Sequence, residues 1–128
     1  MIVADTHAWV WWTASAELLS KRARRELESS SEIGVAAISC WEVAMLVEKG
    51  RLQLDRDPLT WLKQALAQPK IRLLTLTPEI AVLSSKFAVE IPGDPADRII
   101  AATASRQRAR LVTKDMRLRK ASSIATVW

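Results

Sequence analysis

Apolar positions in this chain come in short blocks separated by longer stretches of helical spacing. Ile2-Val3-Ala4, Ile33-Gly34-Val35-Ala36-Ala37 and Leu111-Val112-Thr113 are apolar on successive residues, with no strict polar alternation. Strands of that kind are buried on both faces, which happens in a parallel sheet covered by helices. Alternation of such strands with helical segments is the pattern of βαβ units. The expected strands are 2–5, 33–37, 71–75 and 110–113, with a fifth candidate at 124–127. Capping chemistry marks the helices. Ser20 can cap a helix that buries Ala23 and Leu27, and Ser39 one that runs to Lys49 and stops at Gly50. Pro58 can open a helix with Leu59, Leu62 and Leu66 on one face, and Thr77-Pro78 another through Ile80 and Leu83. Asp94-Pro95 starts the last clear helix.

The first helix carries Trp9-Val10-Trp11-Trp12. Adjacent helical positions point in different directions, so one core cannot take all three tryptophans. Core packing accounts for two of them, and the third is expected near the surface or under a partner.

Composition narrows the class. A length of 128 residues fits one domain spanning 1–128, and 49% hydrophobic with 26% charged residues is normal for a globular protein. No apolar run approaches the roughly 20 residues of a membrane span. Met1 leads directly into the first strand, so no signal peptide is expected and the cytoplasm is the expected location. Cys40 is the only cysteine and His7 the only histidine, which excludes an intrachain disulfide and zinc sites of several cysteines or histidines. Cys40, between Ser39 and Trp41, reads as a small buried residue.

Charge adds a direction. The net charge is +5, and seven basic residues lie between Arg106 and Lys120 with Asp115 as the only acid among them. Because this run surrounds an acid, phosphate contact is the preferred reading. The cluster Lys21, Arg22, Arg24 and Arg25 reads as a solvated helix face.

The acids fall at the ends of the predicted strands and the starts of the predicted helices. Asp5 ends the first strand, Glu42 lies one turn into the helix after the second, Asp94 and Asp97 open a helix, and Asp115 follows the 110–113 strand. In open α/β sheets, functional groups collect at the carboxyl ends of the strands. Carboxylates gathered there repel unless a hard cation lies between them. Each acid also has a purely structural reading. Ser39-x-x-Glu42 and Asp94-Pro95-x-Asp97 both match helix capping, and Asp5 and Asp115 suit turns after strands. One cap needs one side chain, so acids at four separate strand-to-helix junctions favour a shared site. His7, two residues after Asp5, is within reach of the same cleft, although a lone histidine is more often structural. Thr6, Ser39 and Thr113 are placed to bond carboxylates, and Arg98 and Lys114 to hold a phosphate or neutralise an acid.

The ordered set Ile2-Val3-Ala4-Asp5-Thr6-His7-Ala8, Ala37-Ile38-Ser39-Cys40-Trp41-Glu42-Val43-Ala44, Gly93-Asp94-Pro95-Ala96-Asp97-Arg98-Ile99-Ile100-Ala101-Ala102-Thr103-Ala104 and Leu111-Val112-Thr113-Lys114-Asp115 resembles a PIN domain. Within that family it resembles the VapC-type toxins of bacterial toxin–antitoxin modules. The resemblance spans nearly the whole chain, but residues 51–70 carry no signature of the family. It implies a three-layer α/β/α sandwich around a central, mainly parallel sheet. It also implies a ribonuclease dependent on Mg²⁺ or Mn²⁺, a small antitoxin partner and a homodimer. The four main acids of the family match Asp5, Glu42, Asp97 and Asp115, and Asp94 matches an extra acid that only some members carry.

On this reading Asp5 and Asp97 are the leading metal ligands. Glu42 and Asp115 either bind metal or orient the attacking water, and no nucleophilic side chain is required. The alternatives are a PIN nuclease of RNA processing, a phosphoryl-transfer α/β domain and a non-catalytic interaction module. Asp5-Thr6-His7 lacks the second aspartate that a phosphatase motif needs, and all four acids of the nuclease are present.

Overall fold

A computed structural model describes residues 1–128. Five parallel strands form one sheet in the order β3-β2-β1-β4-β5. They are β1 (Ile2–Ala4), β2 (Ile33–Ala36), β3 (Ile71–Leu74), β4 (Leu111–Val112) and β5 (Thr126–Val127). Each lies within a predicted strand and is shorter than it, by a residue at the ends of β1, β2 and β3 and by two residues in all for β4 and β5.

The helices are α1 (Thr6–Ala14), α2 (Lys21–Ser29), α3 (Ala37–Glu48), α4 (Pro58–Leu66), α5 (Pro78–Lys86), α6 (Pro95–Arg106) and α7 (Met116–Lys120). They cover both faces of the sheet, as the resemblance implied. Successive strand residues point to opposite sides. Ile2, Ala4, Ile33, Val35, Val112 and Val127 pack with Trp9 of α1, Leu27 of α2, Val43 of α3 and Trp61 of α4. Val3, Ala36, Leu74 and Leu111 pack on the other side with Ile80 of α5, Ile100 of α6 and Leu118 of α7.

The connections from β1 to β2 and from β2 to β3 thus lie mainly on one face, and those from β3 to β4 and from β4 to β5 on the other. Strand order reverses direction between β1 and β4. A crevice at the carboxyl ends of those two strands follows from the topology, and it is the usual ligand position in open α/β sheets.

Several local expectations change. Ser39 does not cap α3. The helix begins at Ala37, directly from β2 with no loop, so Ser39 is already in its first turn and its capping box with Glu42 does not form. Leu59 does not share a buried face with Leu62 and Leu66. It is exposed, while Trp61 and Ala65 face the core and Leu62 and Leu66 pack at its margin. Cys40 is half-buried against the first core. A short helix, α7, follows the Asp94-Pro95 helix. Among the three clustered tryptophans, Trp9 is buried edge-on against Trp61 at 5.5 Å, and Trp11 and Trp12 are half-buried. The exposed tryptophan is instead Trp41, on α3.

Candidate active site

Four helices begin at the carboxyl edge of the sheet, and the acids enter there. Asp5 caps α1, accepting from the Thr6 amide at 2.8 Å. Asp94 caps α6, accepting from Ala96 N at 2.9 Å, with Pro95 in the first turn. Asp115 caps α7, accepting from Arg117 N at 2.8 Å. Asp97 lies in the first turn of α6, and Glu42 one turn into α3. The positive ends of these helices favour negative side chains at this edge. For Asp5, Asp94 and Asp115, capping and a place at this edge, which the sequence presented as alternatives, hold together.

The tightest group is Glu42, Asp94 and Asp97, each offering an oxygen such that all three lie within 4.8 Å of one another. Asp94, an uncertain candidate from the sequence, is therefore central. Asp5 lies outside that group but close enough for its charge to act on both Glu42 and Asp97. Its Oδ2 accepts from the Thr113 hydroxyl at 2.6 Å, and Asp5 is buried. Asp115 is joined to Asp97 through Arg117, whose Nη2 is 2.8 Å from Asp97 Oδ2 and 2.9 Å from Asp115 Oδ2.

Hydroxyls set the carboxylate positions. Thr6 Oγ1 lies 2.6 Å from Glu42 Oε1 and 2.8 Å from Ser39 Oγ. Ser39 and Glu42, three residues apart on α3, share the face that meets Thr6. Thr113 Oγ1 also accepts from the Asp115 amide at 3.0 Å, linking two acids through one hydroxyl.

The electrostatics record burial first and mutual repulsion second. Burial, and then the charges of Asp5, Asp97 and Asp94, push the Glu42 carboxyl up to about 7, against the lowering effect of the Thr6 hydrogen bond. Burial and the charge of Asp5 push Asp97 up to about 6, although Arg117 opposes the rise. Asp115 goes the other way, because the Arg117 side chain bonds it directly. An all-oxygen donor set with surplus negative charge and no histidine or cysteine in the group suits a hard divalent cation such as Mg²⁺ or Mn²⁺.

The sequence model of the PIN domain family matches residues 2–124. Across 99% of its length the chain is 43% identical to Ribonuclease VapC22 of Mycobacterium tuberculosis, covering 98% of that protein. This chain belongs to the PIN domain family. Solved structures carry the same fold. VapBC2 from Rickettsia felis, bound to a fragment of its promoter DNA, superposes with a TM-score of 0.73 at 16% identity, covering 99% of this chain and 98% of that one. A toxin–antitoxin complex from Klebsiella pneumoniae gives 0.69 at 18% identity, covering 100% and 97%.

Other residues of this PIN domain take unexpected roles. His7 is a tie rather than a free base: its Nε2 accepts from the Lys114 amide at 2.9 Å, and its Nδ1 is 3.5 Å from Asp5 Oδ2. Neither of the cations expected to neutralise an acid does so. Arg98 bonds the Ile91 carbonyl at 3.3 Å, and the Lys114 ammonium lies over the Trp11 ring. Arg117 does it instead, and only its place two residues after Asp115 hinted at that. The basic run is also split. Arg106 ends α6, and Arg108 and Arg110 precede β4, so these three lie at the amino edge of the sheet. Lys114 and Arg117 stand beside His7 and Asp115 at the carboxyl end of β4, and Arg119 and Lys120 end the short helix that Asp115 caps. Arg110 is paired with Glu26 at 2.5 Å. The run therefore does not surround Asp115 in space.

Proposed function

We propose that this PIN domain is a metal-dependent endoribonuclease, the toxin of a toxin–antitoxin pair, with Asp5, Glu42, Asp94, Asp97 and Asp115 as its active-centre carboxylates. The observation that carries the reading is the convergence of Glu42, Asp94 and Asp97 oxygens within 4.8 Å, in a chain 43% identical throughout to a ribonuclease. Glu42, Asp94 and Asp97 would hold the ion, Mg²⁺ or Mn²⁺, with Asp5 beside them. A bound divalent cation supplies Lewis acidity toward a phosphodiester and makes water a nucleophile near neutral pH.

The chain's own groups do the rest. Thr113 and the Thr6 amide fix both oxygens of Asp5, so its orientation is set before substrate arrives. The Thr6 hydroxyl likewise holds Glu42 at Oε1, so that carboxylate is oriented before substrate arrives. Lys114, with Arg119 and Lys120 on the helix that Asp115 caps, are the cations available for an RNA backbone.

The partners that fit this reading are RNA, a small antitoxin and a second copy of the chain, and the compartment is the cytoplasm. No helix is long and apolar enough to cross a membrane. The test is cleavage of RNA by the purified protein with Mg²⁺ or Mn²⁺. Cleavage should stop with chelator and return when metal is restored; activity that persists in chelator sinks the metal reading.

A further inference from the structure

Arg117 has no part in the chemistry above, yet its guanidinium occupies the acidic cluster. Nη2 bridges Asp97 Oδ2 and Asp115 Oδ2, and Nε lies 3.3 Å from Asp115 Oδ1. Asp97 is one of the three carboxylates whose oxygens converge with those of Glu42 and Asp94. A cation of the chain itself thus holds a carboxylate that a divalent ion would need.

The place it occupies is shaped for it. Gly93 has φ +98°, and a Cβ there would come within 3.2 Å of Arg117 Nη1. The Arg117 amide also bonds Asp115 Oδ1, fixing the start of the side chain beside that acid. Its hold on the two acids is unequal. Asp115 receives Nε, Nη2 and the backbone amide, whereas Asp97 receives Nη2 alone. The guanidinium can therefore release Asp97 and stay paired with Asp115. The Arg117 side chain is 51% exposed and the Asp97 side chain only 10%, so solvent is open to the arginine if it moves.

We propose that Arg117 is an internal counter-cation of the carboxylate cluster, which a divalent ion must displace from Asp97 and which keeps its hold on Asp115 when displaced. The proposal rests on the metal-dependent reading above. Its physical content is competition: while the guanidinium is bonded to Asp97, a second cation at that carboxylate meets its positive charge, so whatever binds the metal-free form better lowers apparent metal affinity. The arginine stabilises the folded chain without metal and sets a threshold concentration below which the cluster stays closed by its own side chain.

The test is a calorimetric titration of Mn²⁺ into metal-free protein. Arg117→Gln should bind Mn²⁺ roughly two- to fivefold more tightly than wild type, the range expected for losing a partly exposed charge pair. Arg117→Lys, which keeps the charge but not the fork, should fall between them. Arg119→Gln removes the same charge from the same helix, but Arg119 reaches Met116 rather than an acid. It should change affinity little, which separates direct competition from net charge. In chelator, Arg117→Gln should melt below wild type and gain more from added Mn²⁺. If wild type binds Mn²⁺ and Arg117→Gln binds no tighter, or Arg119→Gln gains as much, the competition is refuted and the metal reading stands. If wild type itself binds no Mn²⁺, both fall. Should Arg117→Gln fail to fold, Arg117→Lys decides, and wild-type affinity there overturns the proposal.

Discussion

The hydroxyl of Thr113 donates to Asp5 Oδ2 at 2.6 Å, tying the end of β4 to the end of β1. Both groups are buried, and the same hydroxyl accepts from the Asp115 amide. One small side chain therefore holds two of the candidate acids in a fixed relation across the strand-order reversal. Thr113→Val keeps the shape and removes the bonds. It should cost about 1–2 kcal/mol of stability, because a buried acceptor and a buried donor lose their partner. Cleavage should fall roughly tenfold or more, as for other residues that orient metal ligands. Urea unfolding and an RNA assay check the two halves; undiminished cleavage would mean that Asp5 needs no such tie.

Asp97→Asn should abolish RNA cleavage and leave the fold intact. In chelator it should be more stable than wild type by about 1–2 kcal/mol, since a partly buried charge facing Asp5, Asp94 and Asp115 is gone. With Mg²⁺ present the difference should shrink or reverse, because only wild type keeps the full donor set. Paired thermal melts measure this, and a variant less stable than wild type in chelator would count against stored repulsion. Asp5→Asn should likewise abolish cleavage.

The pH dependence has a definite sign. Glu42 and Asp97 have folded-state values of about 7 and about 6, above their ordinary 4.5 and 3.8. Between the ordinary and the raised values the folded chain binds more protons than the unfolded chain, so stability from these two groups falls as pH rises and is fully lost above about 7. Metal-free protein should therefore have a lower urea midpoint at about pH 7.5 than at about pH 5.5, and Mg²⁺ should flatten the difference by favouring the ionised carboxylates. A midpoint that rises with pH in chelator would contradict this.

RNA affinity should fall with salt, and the contribution of each cation should depend on whether its segment precedes or follows β4. Arg119→Ala and Lys120→Ala should each reduce the slope of log affinity against log salt by about one. Arg108→Ala, beyond the other end of β4, should leave it unchanged. Fluorescence anisotropy with a catalytically dead variant measures the slopes. Equal effects at Arg108 and Arg119 would mean that RNA wraps past the sheet edge.

Much of the fold was legible because parallel strands leave a strong mark: residues buried on both faces give uninterrupted apolar runs. Such runs marked β1, β2 and β4, while the edge strands β3 and β5, which include Arg72 and Thr126, fell within the predicted 71–75 and 124–127; Ser20, Pro58, Thr77 and Asp94-Pro95 marked real helix starts. Ser39 misled because its pattern matches a cap, while β2 passing straight into α3 put the cap at Ala36, three residues earlier. Leu59 misled because helical spacing identifies a face without saying which face is covered; Trp61 and Ala65 outcompeted it for the core. At the site, the acids were legible as a class, since each stands at a strand-to-helix junction. Their spacing was not. Whether Asp94 or Asp5 approaches Glu42 more closely depends on where α6 crosses α3, a relation between distant segments. The basic run misled for a similar reason, because β4 carries the chain across the sheet in the middle of it.

Asp5, Asp94 and Asp115 each open a helix as well as facing the cleft, and this matters for reading loss-of-function data. Alanine at any of them would delete a helix start, which typically costs about 0.5–2 kcal/mol, together with a carboxylate. An alanine scan would therefore mix folding damage with catalytic damage, and would make these three look different in kind from Glu42, which caps nothing. Asparagine preserves the acceptor oxygen that the backbone amide requires, while it removes the charge and turns the second oxygen into a donor. It is the substitution that can yield an inactive, fully folded protein for binding experiments with RNA or a protein partner.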